Sequence, residues 1–298
     1  MLGATRSTAC SSRGDAAGHW RSNVTDTVSL HPLNEDFAWR PITGPFRRLS
    51  EEQAALYNEQ GFFVMADAIP LNVVERVVAE IDPFEDQVEA FLADQQDGRL
   101  FINRSNEITF TTHLVNRSAY LNDFVRSALF QDIVADVLGP DVRLYWDQAV
   151  YKKPDTSVSF PWHQDNGYTF IAPQQYLTCW IALSDATLDN GCPYVMPGLH
   201  KKGTLAHDVT EFGFECLSED VVGVPAEVRA GGIVVFSSLT PHRTGPNTTD
   251  GIRKSYIVQY APDGVEAIFP EPSGGVVRLA AAAEDRQFLV LKGGKSPC

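Results

Sequence analysis

The sequence predicts a mainly β fold, an antiparallel sandwich or barrel with flanking helices, and three observations lead to this prediction. Helical periodicity is confined to residues 50–138, and short β-like runs separated by Gly, Pro, Asn and Asp dominate from about residue 142. These runs follow one another too closely for the crossover helices that parallel strands need. We expect a polar N-terminal tail over residues 1–45 and a single domain over residues 46–298.

The predicted elements before residue 142 are three helices and one short strand. A capping-box pattern places the start of the first helix at Ser50, with Gln53 reaching back, and its end near Gly61. The remaining elements are a strand at Phe62–Met65 and helices with one apolar face over Pro70–Ile81 and Leu121–Leu138, the last closed by Gly139-Pro140.

Four β-like runs follow in the second half of the chain. Each is short, rich in apolar residues and bounded by turn residues, as is typical of strands. They are Leu144–Tyr151, Tyr176–Leu183, Gly232–Ser237 and Ser255–Tyr260.

Charge and composition exclude several classes of partner. The formal net charge is −14 and the pI is near 4.9, so nucleic acid and anionic membrane surfaces would be repelled at long range. No apolar run approaches the roughly 18 to 20 residues that span a bilayer, and the polar start does not resemble a signal peptide. The five Cys contain no C-x-x-C pair. We therefore expect a cytoplasmic protein that does not bind nucleic acid or membranes.

The tripeptide His163-Gln164-Asp165, with His242 much later, is the main candidate for chemistry. In an extended strand, residues i and i+2 point to the same face, so an imidazole and a carboxylate would lie side by side. Two neutral imidazoles and one carboxylate form the facial triad that non-heme Fe(II) oxygenases use. An H-x-D tripeptide alone is a weak signal, and a hydrogen-bonded structural histidine is the alternative.

Arg253 supplies a second signal, eleven residues after His242 at the start of a predicted strand. A guanidinium binds a carboxylate through two hydrogen bonds, and Ser255, on the same face, adds a hydroxyl. The alternative interpretation is a surface arginine at a strand end.

Five segments of the chain carry a recognisable pattern when they are taken in order. They are Ser50–Gln53 with Gly61–Val64, Lys153-Pro154 through Trp162–Tyr168, Asn190–His200, Gly231–Phe236 through His242, and Arg253–Ser255 with Gln259-Tyr260. Together they resemble the phytanoyl-CoA dioxygenase family of Fe(II)/2-oxoglutarate-dependent oxygenases. The resemblance covers roughly residues 48–262 and follows the order of the family's motifs. The resemblance implies a double-stranded β-helix, a cupin-like jelly roll, with the metal at one mouth.

The resemblance also implies cofactors and site residues. Fe(II), 2-oxoglutarate and O2 would be used, with release of succinate and CO2. The residues that the resemblance assigns are the iron ligands His163, Asp165 and His242, then Arg253 and Ser255 for the distal carboxylate of 2-oxoglutarate, and Lys153 and Trp180 for the cosubstrate region.

The implied reaction is hydroxylation of a C–H bond. Relatives that halogenate carry a small residue at the position of Asp165, so its presence favours hydroxylation, with desaturation or ring formation left open. Acyl-CoA phosphates would call for a basic rim, for which only Lys152-Lys153 and Lys201-Lys202 are at hand. We therefore expect a small or medium-sized metabolite, within a biosynthetic tailoring pathway. The alternatives are an acyl-CoA or protein hydroxylase and a non-catalytic scaffold or sensor, and a homodimer is left open.

Substrate contacts are less well predicted by the sequence. Residues around the H-x-D tripeptide either line the pocket or belong to the core, and two residues further upstream either form part of a lid or lie in a solvated loop. The first group is Trp162, Gln164, Asn166, Tyr168 and Phe170, and the second is Arg104 and Asn106.

Overall fold

A computed structural model describes residues 28–272 and 274–297, which form antiparallel sheets with helices packed outside. The helices are α1 Glu51–Gln60, α2 Leu71–Ala93, α3 Ala119–Val125, α4 Ala128–Leu138 and the short α5 Asp165–Tyr168. The strands are β1 Phe62–Met65, β2 Arg99–Leu100, β3 Asn103–Arg104, β4 Ile108–Thr112, β5 Val142–Lys152, β6 Phe160–His163, β7 Ile171–Ala172, β8 Leu177–Ala182, β9 Pro193–Val195, β10 Asp208–Thr210, β11 Gly213–Glu215, β12 Val224–Pro225, β13 Ile233–Ser237, β14 His242–Thr244, β15 Arg253–Pro262, β16 Glu266–Glu271, β17 Gly275–Ala280 and β18 Leu289–Leu291.

Helix α1 begins and ends as the sequence predicts. The Gln53 backbone N–H donates to Ser50 Oγ at 3.1 Å, and the Ser50 N–H donates to Gln53 Oε1 at 3.0 Å, which completes the capping box. Gly61 ends the helix at φ +86°, where a Cβ would lie 2.5 Å from Thr240 Oγ1. A left-handed backbone and close packing both require glycine at this position.

Two predicted helices differ in extent from the observed ones. The helix expected over 70–81 continues to Ala93, because Glu85 on its inner face is buried and accepts hydrogen bonds from Thr109 and Thr111. Beyond Pro83 the inner face of the helix continues through Glu85 to the buried Leu92. The helix expected over 121–138 is instead two helices, α3 and α4, because Ser127 between them adopts an extended backbone.

The four predicted β runs are all strands of one nine-stranded antiparallel sheet. Its order is β1-β13-β8-β15-β5-β4-β3-β2, with β18 pairing beside β5. A second, four-stranded sheet has the order β12-β9-β14-β6. Two smaller sheets, β17-β16-β7 and β10-β11, complete the described strands.

The large sheet is buried on both faces because side chains alternate along each strand. On β8, Cys179 and Ile181 pack against the helices, whereas Trp180 packs in the core between the two sheets. The sequence of β8 is therefore continuously buried rather than alternating between polar and apolar residues. The predicted mainly β jelly roll with flanking helices is confirmed by this arrangement.

The N-terminal segment contacts the domain where it is described. The first 27 residues of the predicted tail lie outside the described residues. From there the chain follows the domain surface: Leu30 forms a β-bridge with Leu205, and Asn34 Nδ2 donates to the carbonyls of Lys202 and Thr204 at 2.9 Å each. In the two described ranges, no helix has the length and apolar composition that crossing a membrane requires.

Candidate active site

A cavity of about 470 Å³ opens between the two larger sheets. Side chains of β4, β5, β8 and β15 line it from the large sheet, and those of β6 and β14 line it from the smaller one. Its volume lies within the range of small-molecule sites.

Three predicted metal ligands, His163, Asp165 and His242, meet at this cavity and are called the metal triad below. His163 and His242 lie directly opposite each other on β6 and β14, and their ring centroids are 4.2 Å apart. One donor atom from each residue of the triad lies within 4.8 Å of the others. The strand ends at His163, so Asp165 reaches the histidines from the first turn of α5 rather than from the strand.

Backbone carbonyls orient both imidazoles. His163 Nδ1 lies 2.8 Å from the Pro161 carbonyl and His242 Nδ1 lies 3.0 Å from the Thr240 carbonyl, so each Nδ1–H donates and each Nε2 carries the free lone pair. Burial lowers the pKa of His163 to about 3 and that of His242 to about 4. Both rings are therefore neutral near pH 7, the protonation state that binds metals.

The carboxylate of Asp165 is also held in place. Asp165 Oδ1 lies 3.8 Å from His242 Nε2, and Asp165 Oδ2 accepts a hydrogen bond of 2.5 Å from the Thr178 hydroxyl. Desolvation by burial raises the pKa of Asp165, and a cation at this point would offset that effect. Two neutral imidazoles and a buried carboxylate are a donor set that fits Fe(II).

Arg253 lines the same cavity and is 1% exposed. Its Nη1 donates to Ser255 Oγ at 2.6 Å, whereas Nε and Nη2 are buried without a hydrogen-bond partner in the described structure. Burial lowers the pKa of Arg253 to about 10, so the guanidinium stays charged at pH 7. Its charge lies 5.3 Å from the ring centroid of Trp180, which also lines the cavity. A buried cation with two unused donors fits a carboxylate ligand.

Ser255 supports Arg253 from behind rather than lining the cavity. Its hydroxyl accepts from the guanidinium and donates to the Val150 carbonyl at 3.0 Å. Because its one proton is already used, the predicted contact of Ser255 with the cosubstrate is replaced by a role in orienting Arg253.

The prediction for Lys153 needs correction. Its ammonium lies 2.6 Å from Glu85 and 3.3 Å from Glu89 on helix α2, and it does not line the cavity. Lys152 is the buried lysine beside Arg253, and its Nζ donates to the carbonyls of Val158 and Gly245 and to the Thr244 hydroxyl. Adjacent residues of a strand point to opposite faces, so a shift of one position exchanges the two lysines.

A set of uncharged side chains to which the sequence analysis assigned no role lies beside the triad. In one row across the sheet, Thr178, Gln259 and Trp146 lie side by side on β8, β15 and β5. In the next row, Gln148 on β5 lies opposite Thr112 on β4. All five line the cavity. We call Gln259, Trp146, Gln148 and Thr112 the uncharged band. Gln259 lies an even number of residues after Arg253 on β15 and so on the same face, a pattern that the sequence could have revealed.

Most residues flanking the H-x-D tripeptide are structural. Gln164 is fully buried and its side chain bonds to the backbone of Gly203, Leu205 and Leu239. Another buried side chain, that of Asn166, bonds to Thr204 and the Ile171 N–H. Of the five flanking residues named above, the cavity is lined by Tyr168 and not by Trp162, Gln164, Asn166 or Phe170.

Two hairpins border the mouth of the cavity. Phe101 and Ile102, between β2 and β3, line it from one side, and Phe214 on β11 lines it from the other. Arg104 joins the hairpins, because its Nη2 donates to the Glu211 carbonyl at 2.8 Å. Arg104 is thus a bracing residue of the mouth, and Asn106 is an exposed turn residue at φ +60°.

In comparisons with known proteins, a family model and a curated relative both point to phytanoyl-CoA dioxygenase. The family model of phytanoyl-CoA dioxygenase matches residues 57–255. The peroxisomal phytanoyl-CoA dioxygenase of Homo sapiens is 24% identical over 281 residues, which cover 84% of this chain and 78% of that protein.

Solved structures of similar fold include two that hold the cosubstrate. The epimerase SnoN, in complex with Fe3+, α-ketoglutarate and nogalamycin RO, aligns with a TM-score of 0.61 at 20% identity, covering 80% of this chain and 98% of that one. EctD from S. alaskensis, with 2-oxoglutarate and 5-hydroxyectoine, aligns with a TM-score of 0.62 at 18% identity, covering 83% and 86%. At these identities the likeness concerns the fold.

Proposed function

The chain belongs to the phytanoyl-CoA dioxygenase family of Fe(II)/2-oxoglutarate-dependent oxygenases, and from this we propose that it hydroxylates a C–H bond of a small or medium-sized metabolite. In this proposal the metal triad of His163, Asp165 and His242 holds Fe(II), and Arg253 binds the distal carboxylate of 2-oxoglutarate. Dioxygen is the second cosubstrate, and succinate and CO2 are released. The reaction serves a biosynthetic tailoring step.

One observation carries this proposal: a buried arginine with two unpartnered donors lines the same cavity as a His-Asp-His cluster. Leaving Nε and Nη2 of Arg253 unpaired in a buried site is costly unless a ligand accepts from them. A dicarboxylic keto acid matches both ends, with one carboxylate for the arginine and a chelating keto acid group for the metal.

The bound metal and cosubstrate supply the oxidising chemistry, in which decarboxylation of 2-oxoglutarate is coupled to insertion of oxygen into a C–H bond. The residues of this chain position the reactants. His163 and His242 present Nε2 because their Nδ1 atoms are fixed to carbonyls. Arg253 fixes the far end of the cosubstrate, and the apolar side chains of Trp180 and Ile257, which line the cavity, exclude water from its length.

A small-molecule substrate is supported by the size of the cavity and by the structural neighbours. The names of those structures include 5-hydroxyectoine and nogalamycin RO, both small molecules. Among the lining residues in the described ranges, Arg253 is the only Lys or Arg, so no second cation is available there for the phosphates of an acyl-CoA. An acyl-CoA or protein hydroxylase and a scaffold are the alternatives that experiment has to exclude.

Anaerobic titration with Fe(II) and then 2-oxoglutarate tests this proposal. We expect a weak visible charge-transfer band, because chelation of ferrous iron by a keto acid produces one. Oxygen uptake and succinate release would then identify substrates among candidate metabolites. Bound iron without the band would contradict the role of Arg253, and failure to bind iron would contradict the metal triad.

A further inference from the structure

We infer that the uncharged band of Gln259, Trp146, Gln148 and Thr112 is the substrate subsite, and that it takes a neutral ring compound bearing a carbonyl or hydroxyl oxygen. This inference rests on the proposed function, since it assigns the part of the cavity that metal and cosubstrate leave open. Three steps support it: the position of the band, its charge and the orientation of one amide.

The band lies beside the metal triad and away from Arg253. Thr178 contacts Asp165, and Gln259 and Trp146 occupy the next two strands of the same row. At about 4.8 Å between neighbouring strands, Trp146 is roughly 10 Å from Thr178. The backbones of Arg253 and Gln259 are six residues apart on β15, about 20 Å of extended strand. The Arg253 side chain reaches back along the sheet to the ring of Trp180, opposite Ile257, which leaves the side of the triad with Gln259 and Trp146 for a second molecule.

The lining gives this subsite no charge. Among the described residues that line the cavity, Asp165 and Arg253 are the only acidic and basic side chains apart from the histidines, and both already have roles. A carboxylate or phosphate on the substrate would be desolvated there without a partner, which is costly. Aromatic side chains that line the cavity, including Phe101, Tyr168 and Phe214, favour a ring system.

The Gln148 amide has a fixed orientation. Trp146 Nε1–H donates to Gln148 Oε1 at 3.1 Å, so the NH2 group of the amide is left to donate. That NH2 has no partner in residues 28–272 or 274–297. A donor that the protein leaves unused on a cavity wall is available to an acceptor on the ligand, and a carbonyl or hydroxyl oxygen provides one.

Matched neutral and anionic ligands test this inference. The anaerobic complex with Fe(II) and saturating 2-oxoglutarate would be titrated with methyl 2-naphthoate, 2-naphthoate and decanoyl-CoA, and displacement of the charge-transfer band would give each Kd. We expect methyl 2-naphthoate to bind at least tenfold more tightly than the other two. In Gln148→Leu its Kd should rise about tenfold while that of 2-oxoglutarate is unchanged, and Gln96→Leu, at an exposed residue outside the cavity, is the matched control.

The outcomes separate the two proposals. If no charge-transfer band forms, the proposed function fails before any ligand is compared. If the band forms and 2-naphthoate or decanoyl-CoA binds as tightly as the ester, or the ester does not bind up to its solubility limit, the neutral subsite is overturned while the enzyme assignment stands.

A separate contact assigns Thr178 as a positioning residue for the metal. Thr178 is 1% exposed and donates to Asp165 Oδ2 at 2.5 Å, and its own oxygen accepts from Gln259 Nε2 at 3.4 Å. With Oδ2 occupied, Oδ1 is the oxygen that faces His242 Nε2 at 3.8 Å. We propose that Thr178 orients the Asp165 carboxylate so that Oδ1 is the oxygen that would be offered to a metal ion held by the triad.

Isosteric replacement tests this role without any substrate. Thr178→Val keeps the shape and removes the hydroxyl, so we expect the Kd for Fe(II) to rise about 10-fold to 100-fold and the charge-transfer band to shift. Thr178→Ser should restore both values, and the thermal midpoint of each metal-free variant reports on folding. Wild-type iron affinity and an unshifted band in a folded Thr178→Val protein would overturn the assignment, whereas absence of iron binding in the wild type would instead contradict the metal triad.

Discussion

At the scale of single residues, the charged side chains of the site are buried away from water. Arg253 and Asp165 are ionisable groups within a largely apolar cavity: two donors of Arg253 have no partner in the described structure, and burial raises the pKa of Asp165. A ligand of opposite charge would relieve each of them, and each substitution has a separate expected result.

Replacing Arg253 with Leu should weaken 2-oxoglutarate binding and leave iron binding intact. Loss of one partner of a buried charge pair costs about 2–5 kcal/mol, which is roughly a 30-fold to several-thousandfold rise in Kd. Titration of the charge-transfer band measures it. Arg243→Leu is the matched control, since that guanidinium lies over Trp162 and Tyr194 and does not line the cavity. Equal losses in the two variants would argue against a specific carboxylate site.

Replacing Asp165 with Ala should abolish hydroxylation and lower the iron content. The remaining ligands would be two neutral imidazoles, and the carboxylate that offsets the metal charge would be gone. Metal analysis after anaerobic loading, together with succinate release, measures both effects. Unchanged activity and iron content in this variant would remove the metal triad from the mechanism.

Site residues that belong to a motif of the family were the ones that the sequence predicted best. His163, Asp165, His242, Arg253 and Trp180 all line one cavity, as the resemblance implied. Lys153 was assigned one position away from the inward lysine because strand parity depends on register, which sequence alone leaves free by one residue. Nothing in the sequence marked Gln148 and Thr178 as site residues, because an uncharged side chain within a strand can equally well belong to the core.

At the scale of elements, polar contacts decide where helices and strands meet. Helix α2 runs to Ala93 because Glu85 bonds to threonines on β4 and pairs with Lys153 after β5. The apolar spacing continues past Ile81 through Phe84, Val88 and Leu92, so the predicted end of the helix fell short of the pattern itself. The break between α3 and α4 was missed because the apolar pattern continues across the extended Ser127.

Replacing Lys153 with Met tests the corrected role of that residue. Its ammonium is the cation paired with Glu85, so its removal leaves a buried carboxylate with only hydroxyl donors. We expect the free energy of unfolding to fall by about 1–3 kcal/mol in denaturant titration, while the Kd for 2-oxoglutarate is unchanged. A large rise in that Kd with normal stability would restore the original assignment of Lys153 to the cosubstrate region.

At the scale of the whole molecule, buried histidines couple folding to pH. His200 is fully buried, its Nε2 lies 3.3 Å from the Asn58 carbonyl, and its Nδ1 has no partner in the described structure. Burial lowers its pKa to about 4 from the ordinary 6.5. Between these two values the unfolded chain binds more protons than the folded one, so stability falls as the pH drops from 6.5 towards 4.

Denaturant unfolding at pH 7, 5.5 and 4.5 measures this coupling. One histidine that titrates only on unfolding contributes up to about 1.4 kcal/mol per pH unit. We expect His200→Leu, whatever its stability at pH 7, to lose less stability between pH 7 and pH 4.5 than the wild type does. Parallel losses in the two proteins would show that His200 is not a source of the acid sensitivity.

Because the large sheet is buried on both faces, the unfolding of its helix side is coupled to that of its cavity side. Strand β8 contributes Cys179 and Ile181 to the helix side and Thr178 and Trp180 to the cavity side, so one backbone belongs to both layers. Loss of packing in either layer disturbs a strand that the other layer uses, so we expect the helix layer and the cavity layer to unfold together. A ligand held only at the cavity would then protect amide protons in the helices from exchange as strongly as those beside it.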